Sequence, residues 1–287
     1  MTPLPLPPVP APYQLPFHYG ALHQIGVDFL VDPEPVRDLL AKRHPALSAA
    51  EFEGQAVVSL NYQLYFAQYA FGGGVTQEIE FNVIAHPTAE AHRLPRLSYE
   101  EYAHGVDQTR LLGIARIHVL CDNPLAIDAG RRLFAEPKHP GWFETTMPSP
   151  NGPPGEAWSV RCRKASAAAD GSDTVVRHDE DVFTLTADLT GLSSVPANNA
   201  PVTGYGTDAE GRALAGPMNL YQPYRHHSLD PVADADRIRL TVHDGTTDLG
   251  QDLTALVGTS PASGAWTFQS PPVAAHNRAY YLPGPPQ

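Results

Sequence analysis

The chain has 287 residues, with 19 lysines and arginines against 31 aspartates and glutamates and a net charge of -12. An acidic chain without a basic run offers no favourable contact to nucleic acid or to an anionic membrane surface, which excludes both as partners. The length allows one large domain or two small ones around a substantial core.

The opening MTPLPLPPVPAPY lacks the charged start and continuous apolar run of a secretion signal, and no later segment is apolar for long enough to span a bilayer. A cytoplasmic location is expected. Residues 1–12 carry proline at nearly every second position, which predicts an extended arm, either disordered or laid along a neighbouring subunit. Residues 13–287 then read as a single domain with no internal repeat and no linker.

Asp32 to Arg43 has a cap at Asp32 and apolar Val36, Leu39 and Leu40 on one face, predicting a helix over a sheet. Ala56 to Ala70 alternates β-branched, aromatic and polar residues as a strand does. Gly72, Gly73 and Gly74 interrupt the pattern as a turn would, and Gln77 to His86 resumes it. The glycine triplet is not followed by Gly-Lys-Ser/Thr or by a helix, so nucleotide binding is excluded. Thr88 to Arg110 is polar and longer than a hairpin requires, as functional excursions often are. Ile114 to Asp122 alternates again, which predicts Arg116 and His118 on one face of a strand that lines a cavity.

Asn123 to Phe134 carries an N-cap at Asn123, proline at the first helical position, and apolar Leu125, Ile127, Ala129 and Leu133, so a helix is expected to end before Pro137. Lys138 follows it. The chain has only three lysines, Lys42, Lys138 and Lys164, and composition alone would leave Lys138 as a solvated loop residue.

Beyond a turn-rich connection at residues 147–156, strands are expected at Ala157 to Lys164 and Val175 to Asp188, joined by a flexible hairpin end over residues 165–173. Residues 191–217 read as a long loop or part of a lid. Strands at Arg237 to His243 and Trp266 to Gln269, a helix at Leu249 to Val257, and a last strand through Tyr280 to Leu282 complete the chain. Short strands, few helices and no β-α-β alternation predict an α+β, predominantly antiparallel fold. Cys121 and Cys162 lie in strand-like runs without metal-ligand spacing and are expected as free buried thiols.

The run Asp122-Asn123, Pro124, Ala126-Ile127, Gly130-Arg131, Leu133 and Pro137-Lys138 resembles the acetoacetate decarboxylase superfamily, in which a strand ending in Asp-Asn and a Pro-Ala-Ile-x-x-Gly-Arg helix precede the lysine that forms a Schiff base. The resemblance extends weakly to Tyr62-Gln63, Thr76-Gln77-Glu78, residues 237–257 and residues 270–282. It implies a cone-shaped, barrel-like sheet with a few covering helices, a homo-oligomer, no cofactor, and a small carbonyl or carboxylate compound as substrate. The family's second lysine is His139 here, its aromatic residue before Pro-Lys is Glu136, its earlier glutamate is Gln63, and Leu22 and His23 stand where it carries an arginine.

An amine with a pKa near 10.4 is neutral in about one molecule in a few thousand at pH 7. Acetoacetate decarboxylase lowers its lysine with burial or a neighbouring cation; with His139 as neighbour, burial is expected to carry most of that effect here. Glu136 conflicts with it, because residues two apart on an extended segment share a face and a carboxylate stabilises ammonium. Three resolutions stay open: a bend turns Glu136 away, Glu136 is protonated and works as an acid, or Lys138 binds a substrate carboxylate without forming an imine.

Within the resemblance, Lys138, Glu78, Glu136 and His139 are the catalytic candidates, with Glu78 as acid/base. Gln63, Arg116, His118 and Tyr281 are the substrate-binding candidates. Each has a structural alternative: Glu78 and Glu80 as exposed positions of one strand, Arg116 paired with a structural carboxylate, Tyr280 and Tyr281 in core or interface packing. Adjacent His226 and His227, with His118 and His243, lack a chelating spacing, and no Gly-x-Ser-x-Gly elbow occurs, so neither a metal site nor a serine hydrolase is supported. The expected function is a Schiff-base lyase acting on a keto acid or related carbonyl compound by decarboxylation or aldol/dehydration chemistry. The alternatives are a noncovalent cyclase and a small-ligand-binding protein using the same pocket.

Overall fold

The computed structural model describes residues 5–107, 109–168, 174–198, 202–220 and 223–282. Its centre is a run of long antiparallel strands: β1 (His18–Val31), which leads through helix α1 (Pro33–Arg43) and the short β2 (Leu47–Ala49) and β3 (Glu51–Phe52) to β4 (Gln55–Tyr69) and β5 (Gly72–Pro87). Asp32 accepts from the Glu34 amide at the start of α1, as an N-cap aspartate should. β4 and β5 turn over Ala70 and Phe71, with Tyr69 paired to Gly72. The glycine triplet is therefore the first part of β5 and not the turn; a Cβ at Gly73 would stand 2.7 Å from the Ala67 carbonyl oxygen, so the close approach of the two strands needs glycine there.

The polar excursion after β5 folds into a single 3-10 segment (Thr88–Arg93) and helix α2 (Tyr99–Ala103), whose start is closed by reciprocal Ser98 and Glu101 bonds. β6 (Gly113–Cys121), α3 (Pro124–Phe134) and β7 (Lys138–Thr146) follow, and β6 and β7 are parallel, with Val119 opposite Lys138. Sequence periodicity does not foresee this β-α-β unit, because one crossover in a meandering sheet leaves no repeating pattern to read.

β8 (Ala157–Ala167) and β9 (Val175–Asp188) form the expected hairpin, whose tip at residues 169–173 lies outside the described residues. The expected loop at 191–217 instead contains β10 (Val195–Ala197), β11 (Val202–Thr207) and β12 (Ala213–Met218); β11 and β12 pair with each other and β11 adds parallel to β6. Gly, Pro and Ala hide their alternation. β13 (Tyr224–Ser228), β14 (Ile238–Val242), α4 (Asp248–Leu256) and β15 (Gly264–Gln269) complete the fold.

The described strands join in one open sheet ordered β10-β13-β15-β1-β4-β5-β6-β7-β8-β9-β14, mostly antiparallel and covered by few helices. The expected strand through Tyr280 to Leu282 does not form: these residues carry no element and lie exposed. Among the described residues no helix is long and apolar enough to cross a membrane.

Strand alternation gives the sheet two faces of different chemistry. Ile25, Val27 and Phe29 of β1, Leu60 and Tyr62 of β4, and Ile79, Phe81 and Val83 of β5 point into the main core. Val36 and Leu40 of α1 and Leu249, Leu253 and Leu256 of α4 close it, each large side chain contributing roughly 1.5–3 kcal/mol by burial. The other face is polar, and it carries the candidate site.

Candidate active site

The pairing register sets the polar face out in rows across β1, β4, β5 and β6. Gln24, Gln63, Glu78 and Cys121 form one; Gly26, Asn61, Glu80 and Val119 the next; Asp28, Ser59, Asn82 and Arg116 the third. Between the second and third rows β6 carries a bulge: Phe81 faces His118 while Asn82 faces Arg116, leaving Ile117 as the extra residue. The bulge sends Arg116 and His118 to opposite faces, which corrects the expectation from simple alternation that they share one.

Lys138 enters at the end of α3. Asn123 caps that helix on the Leu125 amide, and Ala135 ends it in the left-handed region at φ 51°. The bend brings Glu136 back toward Lys138 instead of turning it away. Gly130 makes room for both, since a Cβ there would overlap the Glu136 carboxylate and stand 2.6 Å from Lys138 Cδ. The Gly-Arg pair of the helix thus has two local causes: Gly130 leaves space for the lysine, and Arg131 Nε donates to the Lys138 carbonyl at 2.6 Å.

Lys138 is 6% exposed. Its Nζ lies 2.8 Å from Glu78 Oε2 and 3.0 Å from Glu136 Oε2, and it donates to the Ala126 carbonyl at 3.4 Å. Arg116 continues the chain of charges, with Nε 2.8 Å from Glu80 Oε1 and a terminal nitrogen 3.3 Å from Glu136 Oε1. Five buried groups therefore alternate in sign: Glu78, Lys138, Glu136, Arg116, Glu80. Gln63 Nε2 at 3.3 Å and the Tyr65 hydroxyl at 3.1 Å donate to Glu78.

Burial alone would push the Lys138 amine down, but the Glu136 and Glu78 carboxylates outweigh it and hold its pKa well above the ordinary lysine value. The two carboxylates therefore reverse the depression expected from burial. The two carboxylates are unequal. Burial lifts Glu78 above the usual carboxylate range despite Lys138, whereas Arg116 and Lys138 together overcome burial at Glu136 and hold it below that range. Glu136 is thus the carboxylate held toward its anion, and Glu78 the one best placed to take a proton.

Two cavities open on this face. A small one of about 50 Å³ contains Lys138, Glu78, Glu136, Tyr19, Tyr65 and Leu22. A larger one of about 110 Å³ is lined by Asp28, Asn61, Asn82, Tyr102, Tyr224 and Trp266, among others. Gln63, Glu80, Arg116, Met218 and Leu220 line both and form the wall between them. The excursion at residues 88–112 supplies Tyr102, Ala103, Asp107, Arg110 and Leu112 to the larger cavity, and the β11-β12 hairpin supplies Val202, Gly204 and Met218.

Of the residues singled out from sequence, Lys138, Glu78, Glu136, Gln63 and Arg116 meet in this arrangement. His118 does not: it stacks on Phe81 in the core face and binds Asp252 of α4 at 2.6 Å, beside Arg43. His139 is exposed, because the residue after Lys138 on β7 points to the other side. Tyr281 is fully exposed and lines neither cavity. Tyr65 and Asn82 escape the sequence reading, although period-two alternation from Gln63 and Glu78 reaches both; Glu78 and Glu80, open to a reading as exposed strand positions, are 3% and 2% exposed, and Glu80 pairs with Arg116.

No family model matches the sequence, and no curated protein matches it significantly. Solved structures do match in fold. The enduracididine biosynthesis enzyme MppR, complexed with the condensation product of pyruvate and imidazole 4-carboxaldehyde, superposes with a TM-score of 0.56 at 14% identity, covering 89% of this chain and 85% of that one. An acetoacetate decarboxylase-like enzyme from Sphingomonas wittichii RW1 gives 0.51 at 12% identity over 88% of each chain. Acetoacetate decarboxylase from Legionella pneumophila subsp. pneumophila str. Philadelphia 1 gives 0.52 at 11% identity, over 92% of this chain and 87% of that one. The chain thus has the fold of the acetoacetate decarboxylase-like enzymes, carried by a divergent sequence.

Proposed function

We propose that this protein is a lysine-dependent lyase acting on a small keto acid or related carbonyl compound, with Lys138 as the imine-forming residue and Glu78 as its acid/base. The observation that carries the reading is the 2.8 Å contact between Lys138 Nζ and Glu78 Oε2 beside a cavity. Moving one proton from the ammonium to Glu78 converts this ion pair into a neutral amine and a carboxylic acid. The raised Glu78 pKa makes that transfer less costly than it would be to Glu136.

The amine attacks the substrate carbonyl carbon, and its proton passes to the carbonyl oxygen. Glu78 then protonates the hydroxyl that leaves as water, which gives a protonated imine and restores the Glu78 carboxylate. Glu136, kept ionised by Arg116, faces that positive nitrogen. The protonated imine accepts the electron pair of an adjacent carbon-carbon or carbon-hydrogen bond, so decarboxylation and aldol addition with dehydration are both within its reach.

Borohydride reduction in the presence of pyruvate, followed by peptide mass spectrometry, tests the reading. A reduced adduct on Lys138 is expected, and turnover without an adduct overturns the imine. A second reading rests on the raised Lys138 pKa: the ammonium binds a substrate carboxylate and the pocket promotes a noncovalent cyclisation. Lys138→Arg separates the two, because a permanent cation preserves carboxylate binding and abolishes imine chemistry.

A further inference from the structure

The larger cavity holds polar groups that the chemistry at Lys138 does not use. Asn82 is 1% exposed, and its amide nitrogen donates to Glu80 Oε2 at 2.9 Å. That bond fixes the amide orientation and leaves Asn82 Oδ1 buried without a partner. Asn61 Oδ1, one row away on β4, is likewise buried and unpartnered. A buried carbonyl oxygen left without a donor costs about 1–3 kcal/mol, so two on one cavity wall call for a ligand that donates.

Asp28 lies in the same row as Asn82 and is 5% exposed. Its partners are the hydroxyls of Tyr99, at 3.0 Å, and Ser59, and among the described residues no cation lies within ion-pair range of it. Burial raises its pKa to about 6, the mark of a carboxylate lacking a counter-charge. The charged groups lining the cavity are Asp28, Glu80 and Asp107 against Arg110 and Arg116, and Arg116 is already engaged by Glu80 and Glu136. Aromatic rings complete the wall: Trp266 lies over Gly26, where a Cβ would overlap the indole, and its ring centroid is 5.1 Å from that of Tyr224. Aromatic faces beside an uncompensated carboxylate and bare carbonyl oxygens favour a cation that bears N–H groups.

We propose that this cavity, bounded by Asp28, Asn61 and Asn82, is a subsite for a positively charged, N–H-bearing nitrogen group at the far end of the substrate whose reacting end meets Lys138. The proposal rests on the functional reading above for the placement of the reacting end. Four residues of extended strand separate Glu78 from Asn82, on the order of 13 Å, so the substrate has an intervening chain and is longer than pyruvate.

Calorimetric binding of 4-aminobutanoate, 6-aminohexanoate and 8-aminooctanoate, each against the alkanoate of the same length, tests the subsite at pH 8, where Asp28 is ionised. These probes carry a carboxylate and an ammonium but no ketone, so their binding requires no imine. At least one amino acid of the series should bind tenfold or more tighter than its alkanoate, and Asp28→Asn and Asn82→Leu should each bring that ratio to within about threefold. Equal affinities at every length in the wild-type protein, or no binding by any probe, overturn the subsite. A binding preference without a pyruvate adduct on Lys138 removes the imine and keeps the subsite; an adduct without a preference does the reverse.

Discussion

Lys138 Nζ sits between Glu78 Oε2 at 2.8 Å and Glu136 Oε2 at 3.0 Å, and among the described residues only Glu136 has a second cation, Arg116. Removing the lysine therefore leaves Glu78 as the uncompensated charge. Lys138→Met should abolish borohydride-trappable activity and destabilise the fold by about 3 kcal/mol or more, the cost of orphaning a buried ion. Adding Glu78→Gln should recover much of that stability and none of the activity. Urea denaturation of both variants checks this, and equal stability of the single and double variants would contradict it.

Gly130→Ala separates helix propensity from the needs of the site. Alanine favours a helix interior over glycine by about 1 kcal/mol, but the added Cβ overlaps the Glu136 carboxylate and meets Lys138 Cδ at 2.6 Å. Overpacking of this kind costs about 1–3 kcal/mol and displaces the amine, so the steric term wins. The variant should fold with a slightly lowered midpoint and lose pyruvate adduct formation at least tenfold. Unchanged adduct yield would show that Lys138 does not occupy this position when it reacts.

The Lys138 framework was readable because it is local: the cap at Asn123, the proline at 124, the glycine at 130 and the lysine lie within sixteen residues of one another. Helix α1 was legible for the same reason. What the sequence concealed was non-local. The bulge at Ile117 sends His118 into the core, and a single extra residue leaves no mark in an alternating pattern. Glu136 raised a conflict that one segment cannot resolve, because its answer, Arg116, lies on another strand. The β11-β12 hairpin, rich in Gly, Pro and Ala, carries too little side-chain contrast to show its period. Tyr281 falls in a run of strand-like composition, but residues 280–282 carry no element and its side chain lies exposed.

Tyr65 tests the role of Glu78 without altering any charge. Its hydroxyl donates to Glu78 Oε2 at 3.1 Å, a bond that favours the ionised carboxylate. Tyr65→Phe removes it while keeping the ring against Leu22 and Ala67. Glu78 should then hold its proton to higher pH, so the acid limb of the pH-rate profile should move upward by up to about one pH unit. An unmoved limb would show that Glu78 does not set it.

Asp28 ties stability to pH with a sign opposite to that of a salt-bridged carboxylate. Burial moves its pKa from 3.8 to about 6, so between these values the folded protein binds a proton that the unfolded chain has released. Stability from this group is therefore greatest below pH 4, falls as pH rises through the window to about 6, and stays low above it. The loss at pH 8 is about 3 kcal/mol. Asp28→Asn keeps an oxygen for the Tyr99 and Ser59 hydroxyls and removes the titration. It should be more stable than the wild-type protein at pH 8, and that advantage should shrink toward pH 4. Denaturation midpoints measured from pH 5 to pH 8 read the difference; a variant less stable at pH 8, or one whose advantage does not change with pH, would mean that the buried carboxylate is compensated. The same measurement repeated with bound 6-aminohexanoate joins stability to recognition, because an ammonium beside Asp28 supplies the missing counter-charge and should raise the wild-type midpoint more than that of Asp28→Asn.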